Sequence, residues 1–156
     1  MSSKKDKFNK LDKKFMNLAI ELAKTNKGLT GTNPSVGCVV VKKNNIISYG
    51  KTNVNGRPHA EAVALTKSKK NYNSSKIYLT LEPCTHYGIT PPCTNLIIES
   101  KVKNVVYSVD DLDPRTSKKA KKILNSKKIY TKNGLLSKLS KEFYKDYYYI
   151  KKNKLP

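Results

Sequence analysis

The strongest constraint on this chain lies between Leu81 and Cys93, which read L-E-P-C-T-H-Y-G-I-T-P-P-C. Twenty residues before Leu81 stands Glu61, at the end of Pro58-His59-Ala60-Glu61. The two pieces carry two thiols, an imidazole and a carboxylate, and a fold must bring them together if they are to act as one site. Three protein ligands suffice for a catalytic zinc, because they leave the fourth tetrahedral position to water, whereas a structural site closes with four. Zinc lowers the pKa of that water toward neutrality. A carboxylate beside it can take the proton and hand it on. The expected ligands are therefore His59, Cys84 and Cys93, with Glu61 as the catalytic proton carrier and one Zn²⁺ per chain.

Each half of this pattern is weak alone. A lone His-x-Glu is common, and free cysteine is often a plain buried apolar residue. The combination carries the weight: His-x-Glu opening a helix, then a strand, then Glu-Pro-Cys, then a second cysteine at a helix start. Cys38 stands apart, in the middle of an apolar strand. It reads as core, with a fourth ligand or a redox role as the alternative.

With 156 residues the chain has room for a real core in one domain. No apolar run approaches the roughly 20 residues of a membrane span. Met1 to Lys10 is basic and polar with no apolar segment behind it, unlike a secretory signal. Three cysteines are an odd number, and two lie in the motif. That pattern suits metal ligation in a reducing compartment, hence a cytoplasmic protein, rather than a disulfide framework. The net charge of +21 admits a polyanion-binding surface. Yet only Arg57 and Arg115 are arginines, and lysines are spread along most of the chain. Solvated surface charge is the simpler reading.

Met1 to Lys10 reads as a charged tail. The apolar positions Leu11, Phe15, Leu18, Ala19, Leu22 and Ala23 predict an amphipathic helix to about Thr25. Gly37 to Val41 and Ile46 to Gly50, joined at Asn44-Asn45, predict a hairpin. A small-residue helix is expected over His59 to Lys69, and a third strand over Ile77 to Leu81. A helix over Thr94 to Ser100, a strand over Val102 to Val109 and a helix over Ser117 to Asn125 follow. Ile129 to Thr131 is a candidate fifth strand, and one last helix is expected from Leu135 to about Tyr149. Strands alternating with helices predict an α/β fold, a three-layer α/β/α sandwich with a mixed central sheet. Both ligand-bearing pieces then fall at strand-to-helix junctions.

His59-Ala60-Glu61 with Pro83-Cys84 and Cys93 resembles the zinc-dependent cytidine deaminase superfamily, whose glutamate is not a ligand. Most branches space the two cysteines as Cys-x-x-Cys; here eight residues separate them. The longer loop resembles the riboflavin-biosynthesis branch, the pyrimidine deaminase domains of bifunctional proteins. Thr32-Asn33-Pro34-Ser35-Val36-Gly37 and Gly56-Arg57-Pro58-His59-Ala60-Glu61 extend the match over residues 11–150. The resemblance implies a cytidine deaminase-like fold and hydrolytic loss of the 2-amino group from a ribosylaminopyrimidinone 5′-phosphate. It implies substrate contacts at Asn33 and His86, while backbone groups near Pro83-Cys84 could polarise the adduct. Asn33 also fits a plain loop cap, and His86 a loop brace.

Three departures bear on substrate contacts. Position 89 is Ile where that branch usually has Lys or Arg, which removes a phosphate-facing cation. Thr52 stands where many members carry His. Asp111-Leu112-Asp113-Pro114 replaces the usual Asp-Pro-Asn-Pro, so Asp111 and Asp113 occupy that binding loop. Arg57, Arg115 and Lys118 could restore the lost charge, or simply face solvent. In that branch the chain continues into an NADPH-dependent reductase domain. Residues 151–156 would begin the linker to it, and no dinucleotide fingerprint is present, so no NADPH site is expected here. A separate reductase partner and a homo-oligomer are implied by resemblance only.

Two other readings compete. One is a deaminase of another nucleotide, nucleoside or nucleic-acid base, favoured by the charge but opposed by the cysteine spacing and the scarcity of Arg. Stacking surface is confined to Tyr144, Tyr147, Tyr148 and Tyr149, which helix packing explains more simply. The other is a zinc-stabilised module without activity, which requires a broken ligand set or a lost Glu61; both are intact.

Overall fold

The computed structural model describes residues 7–66 and 70–156. The elements run α1 (Lys10–Thr25), β1 (Gly37–Lys42), β2 (Asn45–Lys51), α2 (Ala60–Thr66), β3 (Lys76–Leu81), α3 (Cys93–Glu99), β4 (Asn104–Val109), α4 (Ala120–Ser126), β5 (Tyr130–Asn133), α5 (Ser137–Phe143) and α6 (Lys145–Lys152). The strands form one sheet in the order β2-β1-β3-β4-β5. The β1 pairings to β2 and β3 are antiparallel, while β3-β4 and β4-β5 are parallel. The mixed sheet expected from the alternation of elements is therefore present.

Strand alternation sorts the core into two layers, because successive side chains point to opposite faces. Cys38, Val40, Ile77, Leu79, Val105 and Tyr107 share one buried cluster with Ala60 and Ala64 of α2, Ile97 of α3 and Leu124 of α4. Val39, Val41, Tyr78 and Val106 face the other way, against Phe15, Met16, Ala19 and Ile20 of α1 and against Leu135. The three-layer sandwich follows. Cys38 is wholly buried in the first layer, as its apolar strand implied.

The direction of the strands places the site. Because β2 and β3 each run antiparallel to β1, they point the same way, and β4 is parallel to β3. The C-terminal ends of all three strands therefore meet at one end of the sheet. Two glycines let the helices come close there. A Cβ at Gly50 would lie 2.6 Å from the Ala60 carbonyl, and one at Gly37 would lie 1.8 Å from that of Ala19. Any side chain at Gly50 would push α2 off the sheet.

Several boundaries differ from the pattern-based reading. The first helix starts at Lys10, not after it, because Asn9 and Asp12 form a capping box. Phe8 packs on the α1 layer, so the tail ends before it. Helix α2 starts one residue after His59, whose carbonyl accepts the Val63 N–H at 3.0 Å. The last part of that expected helix, residues 67–69, lies outside the described residues, as do residues 1–6 of the tail. The segment 116–119 is turn rather than helix, with Lys118 at φ +61. The single C-terminal helix is two, broken at Tyr144. The Tyr144 ring is buried, and its hydroxyl donates to the Ser35 carbonyl at 2.8 Å and bonds Thr80 Oγ1 at 2.6 Å. Those bonds hold the residue at the helix junction against the sheet.

Candidate metal and active site

His59 precedes α2, Glu61 sits in its first turn, Cys84 follows β3, and Cys93 opens α3. The eight-residue excursion from Cys84 to Cys93 returns the chain to its starting point: the Cys93 N–H donates to the Cys84 sulfur at 3.2 Å. Thr94 adds its backbone N–H and hydroxyl to the Cys84 carbonyl, at 3.3 Å each. Cys84 is thereby fixed against the start of α3.

The three expected ligands converge. His59 Nδ1 lies 3.5 Å from Cys93 Sγ and 3.9 Å from Cys84 Sγ. All three donor atoms fall within 4.8 Å of one another. A zinc with Zn–N near 2.05 Å and Zn–S near 2.3 Å sets donor-to-donor edges of about 3.6 Å in a tetrahedron. The observed separations fit such an ion, and one nitrogen with two sulfurs is a zinc donor set. The residues present therefore suit the metal.

The electrostatics are those of donors gathered for a cation. The Cys93 thiol bonded to Cys84 draws the Cys84 pKa down to about 4, with help from the His59 imidazole. The same bond, with burial, pushes Cys93 up. The His59 pKa is raised, chiefly by its bond to Cys84. Glu61 is buried, and that burial, together with the negative Cys84 sulfur, raises its pKa to about 7. A divalent ion among these groups inverts such preferences, since it favours thiolate and neutral imidazole.

Above the donors opens a pocket of about 300 Å³. Its wall includes His59, Glu61 and Cys84, and every expected contact residue: Asn33, Thr52, Arg57, His86, Asp111 and Asp113. Their bonding differs. Asn33 Nδ2 donates to the Gly56 carbonyl at 3.0 Å, so the side chain also ties two loops together. The Thr52 hydroxyl accepts the Val36 N–H at 2.9 Å and is buried. His86 Nδ1 lies 3.0 Å from Thr116 Oγ1. Asp111 accepts from the Asp113 N–H and from the Tyr147 hydroxyl at 2.9 Å. Asp113 is paired to Arg115 at 2.6 Å, with Lys151 at 3.8 Å, and the Arg115 guanidinium holds its carboxyl well below the usual carboxylate range. Lys118, considered above as a replacement cation, is not on the pocket wall; its backbone N–H donates to Glu82 instead.

Two contributors escaped the sequence reading. Glu82 is buried, and its carboxylate accepts three backbone N–H groups, from Asp111 at 3.1 Å, Lys118 at 3.0 Å and Ala120 at 3.0 Å. It holds the loop that carries Asp111 and Asp113. The Glu-Pro-Cys triplet marks its position, but bonds to three backbone N–H groups about thirty residues on leave no local pattern. Tyr147 and Lys151 reach the pocket from α6, more than fifty residues beyond Cys93, with no local signal to mark them.

Comparison with known proteins gives a consistent picture. Residues 9–109 match the family model described as the cytidine and deoxycytidylate deaminase zinc-binding region. The chain is 40% identical over 145 residues to the diaminohydroxyphosphoribosylamino-pyrimidine deaminase of Buchnera aphidicola from Schizaphis graminum, covering 99% of that protein. It is 41% identical over 138 residues to the riboflavin biosynthesis protein RibD of Aquifex aeolicus, but spans only 39% of its length. Among solved structures, a diaminohydroxyphosphoribosylaminopyrimidine deaminase/5-amino-6-(5-phosphoribosylamino)uracil reductase from Thermotoga maritima superposes with a TM-score of 0.84 at 38% identity. That match covers 94% of this chain and 42% of the Thermotoga one.

Proposed function

Because the chain belongs to the zinc-binding cytidine and deoxycytidylate deaminase family, we propose that it removes the 2-amino group of 2,5-diamino-6-ribosylamino-4(3H)-pyrimidinone 5′-phosphate by hydrolysis, a step of riboflavin biosynthesis. The observation that carries the chemistry is the gathering of His59, Cys84 and Cys93 at the spacing of a tetrahedral ion, beside a buried Glu61. The names of relatives similar over most of this chain support the substrate.

His59, Cys84 and Cys93 would hold the zinc, which when bound supplies a Lewis acid that makes a water acidic near neutral pH. Glu61 does the proton work. Its carboxylate takes a proton from the attacking water as oxygen adds to the ring carbon bearing the amino group. It returns that proton to the ring nitrogen, then carries the second to the amine, which leaves as ammonia while the carbonyl forms. One water is consumed and one ammonia released. A group that must both accept and donate works best with a pKa near the operating pH. Burial disfavours the charged form of Glu61 and so favours return of the proton it takes. Asn33 and His86 stand on the wall where they can orient the ring and ribose.

The substrate is a small molecule, and a nucleic-acid partner is not part of this reading. Among the described residues no helix is long and apolar enough to cross a membrane. With its three cysteines free, the expected location is the cytoplasm. A homo-oligomer and a separate reductase remain expectations from resemblance.

The test is ammonia release from the ribosylaminopyrimidinone phosphate, measured beside cytidine, dCMP and single-stranded DNA. Turnover of the first at least about a hundredfold above the others is expected, given what mispaired polar groups cost in a built pocket. Faster turnover of dCMP or DNA would overturn the substrate assignment.

A further inference from the structure

Three cations stand on the pocket wall: Arg57, Arg115 and Lys151. Two of them share one carboxylate. Arg115 gives Nε and Nη2 to Asp113, at 2.9 and 2.6 Å. Lys151 Nζ lies 3.8 Å from the same group and 5.8 Å from the centre of the Tyr147 ring. Arg57 is different. Among the described residues it forms no ion pair; Nη1 donates to Thr90 Oγ1 at 2.8 Å. On its other side, Nη2 lies 3.5 Å from where a Cβ on Gly88 would sit. The guanidinium thus lies along the 88–90 loop, anchored at one corner, with most of its five donors uncommitted. Ile89, between those two contacts, is 86% exposed and brings no charge of its own.

We propose that Arg57 selects the phosphorylated form of the substrate, its guanidinium binding the phosphate monoester at the pocket mouth. The assignment rests on the reaction proposed above, and adds which residue reads the phosphate. A planar guanidinium fork matches a phosphate with two parallel N–H···O bonds, a geometry that lysine lacks. A fixed fork loses little freedom on binding, and the Thr90 bond fixes this one. The cation then comes from the connection between β2 and α2, two residues before His59. Arg115 and Lys151 are poorer candidates because phosphate would have to compete with Asp113 for both.

The experiment compares kcat/KM for the ribosylaminopyrimidinone with and without its 5′-phosphate. The unaltered enzyme is expected to prefer the phosphate by about tenfold or more, the usual worth of a charge-assisted pair. In Arg57→Gln that preference should collapse to about threefold or less through KM, with kcat for the phosphorylated compound little changed. Ile89→Lys in the Arg57→Gln background should restore it, because a cation then rises from the same loop. Thr90→Val removes the brace but keeps the charge, and should retain most of the preference. Preserved preference in Arg57→Gln would overturn the assignment, as would a Thr90→Val loss equal to that of Arg57→Gln, which marks a purely structural role. Competitive inhibition of the unaltered enzyme by inorganic phosphate, relieved in Arg57→Lys less than in Arg57→Gln, is a second expected result. Inhibition that is not competitive would count against it. If the unaltered enzyme turns over neither compound, the proposed reaction itself fails and this assignment falls with it.

Discussion

At the scale of single residues, the proposed chemistry turns on Glu61. It is not among the convergent donors, yet it is buried beside them and feels the Cys84 charge. A buried carboxylate without a metal nearby would be costly to ionise, so its place argues for proton transfer rather than packing. Glu61→Gln keeps the size and one acceptor oxygen but cannot take up a proton. Turnover should fall by about a hundredfold to ten-thousandfold, with fold and zinc content retained. Steady-state ammonia release on a zinc-quantified sample checks this, and a near-parental rate would remove Glu61 from the mechanism. That Glu61 lies beside the His59 imidazole was legible from their spacing. Glu82, two residues before Cys84, was not, because accepting three backbone N–H groups from the 111–120 segment is a tertiary fact with no local pattern.

At the scale of elements, α1 shows how a polar residue ties a helix to the sheet. Asp12 closes the capping box with Asn9 and also takes Lys76 Nζ and the Tyr78 hydroxyl, each at 2.6 Å. Burial pushes the Asp12 pKa up, but these bonds outweigh it and hold the carboxyl below its ordinary value. A depressed folded-state pKa contributes stability above the unfolded value, near 3.9, and loses it as pH falls through the folded one. Asp12→Asn should therefore cost about 2 kcal/mol at neutral pH, and its deficit against the parent should shrink below about pH 4. Urea unfolding of both proteins across that range checks the sign; a deficit unchanged in acid would contradict it. Apolar periodicity marks α1 from Leu11, and the Asn9–Asp12 capping box sets its start one residue earlier. The break at Tyr144 was invisible for another reason: helical spacing continues through it, and the buried hydroxyl bonds to Ser35 and Thr80 are tertiary contacts with no local pattern.

At the scale of the whole molecule, one topological fact creates the site. The strands β2, β3 and β4 all point to the same end of the sheet, so the segments that follow them carry His59, Cys84 and Asp111 to one place. Alternating strands and helices made this architecture readable, and the motif spacing made the metal donors readable. The contribution of α6 was not, since Tyr147 and Lys151 arrive from the far end of the chain. The high positive charge plays no part in the chemistry argued here. What the account requires is that two sulfurs and one imidazole hold the ion together. Zinc per chain, measured by elemental analysis on the purified protein and on Cys93→Ser, tests this most directly. About one zinc in the parent and a small fraction of that in the variant are expected for a three-ligand site; undiminished zinc in Cys93→Ser would contradict it.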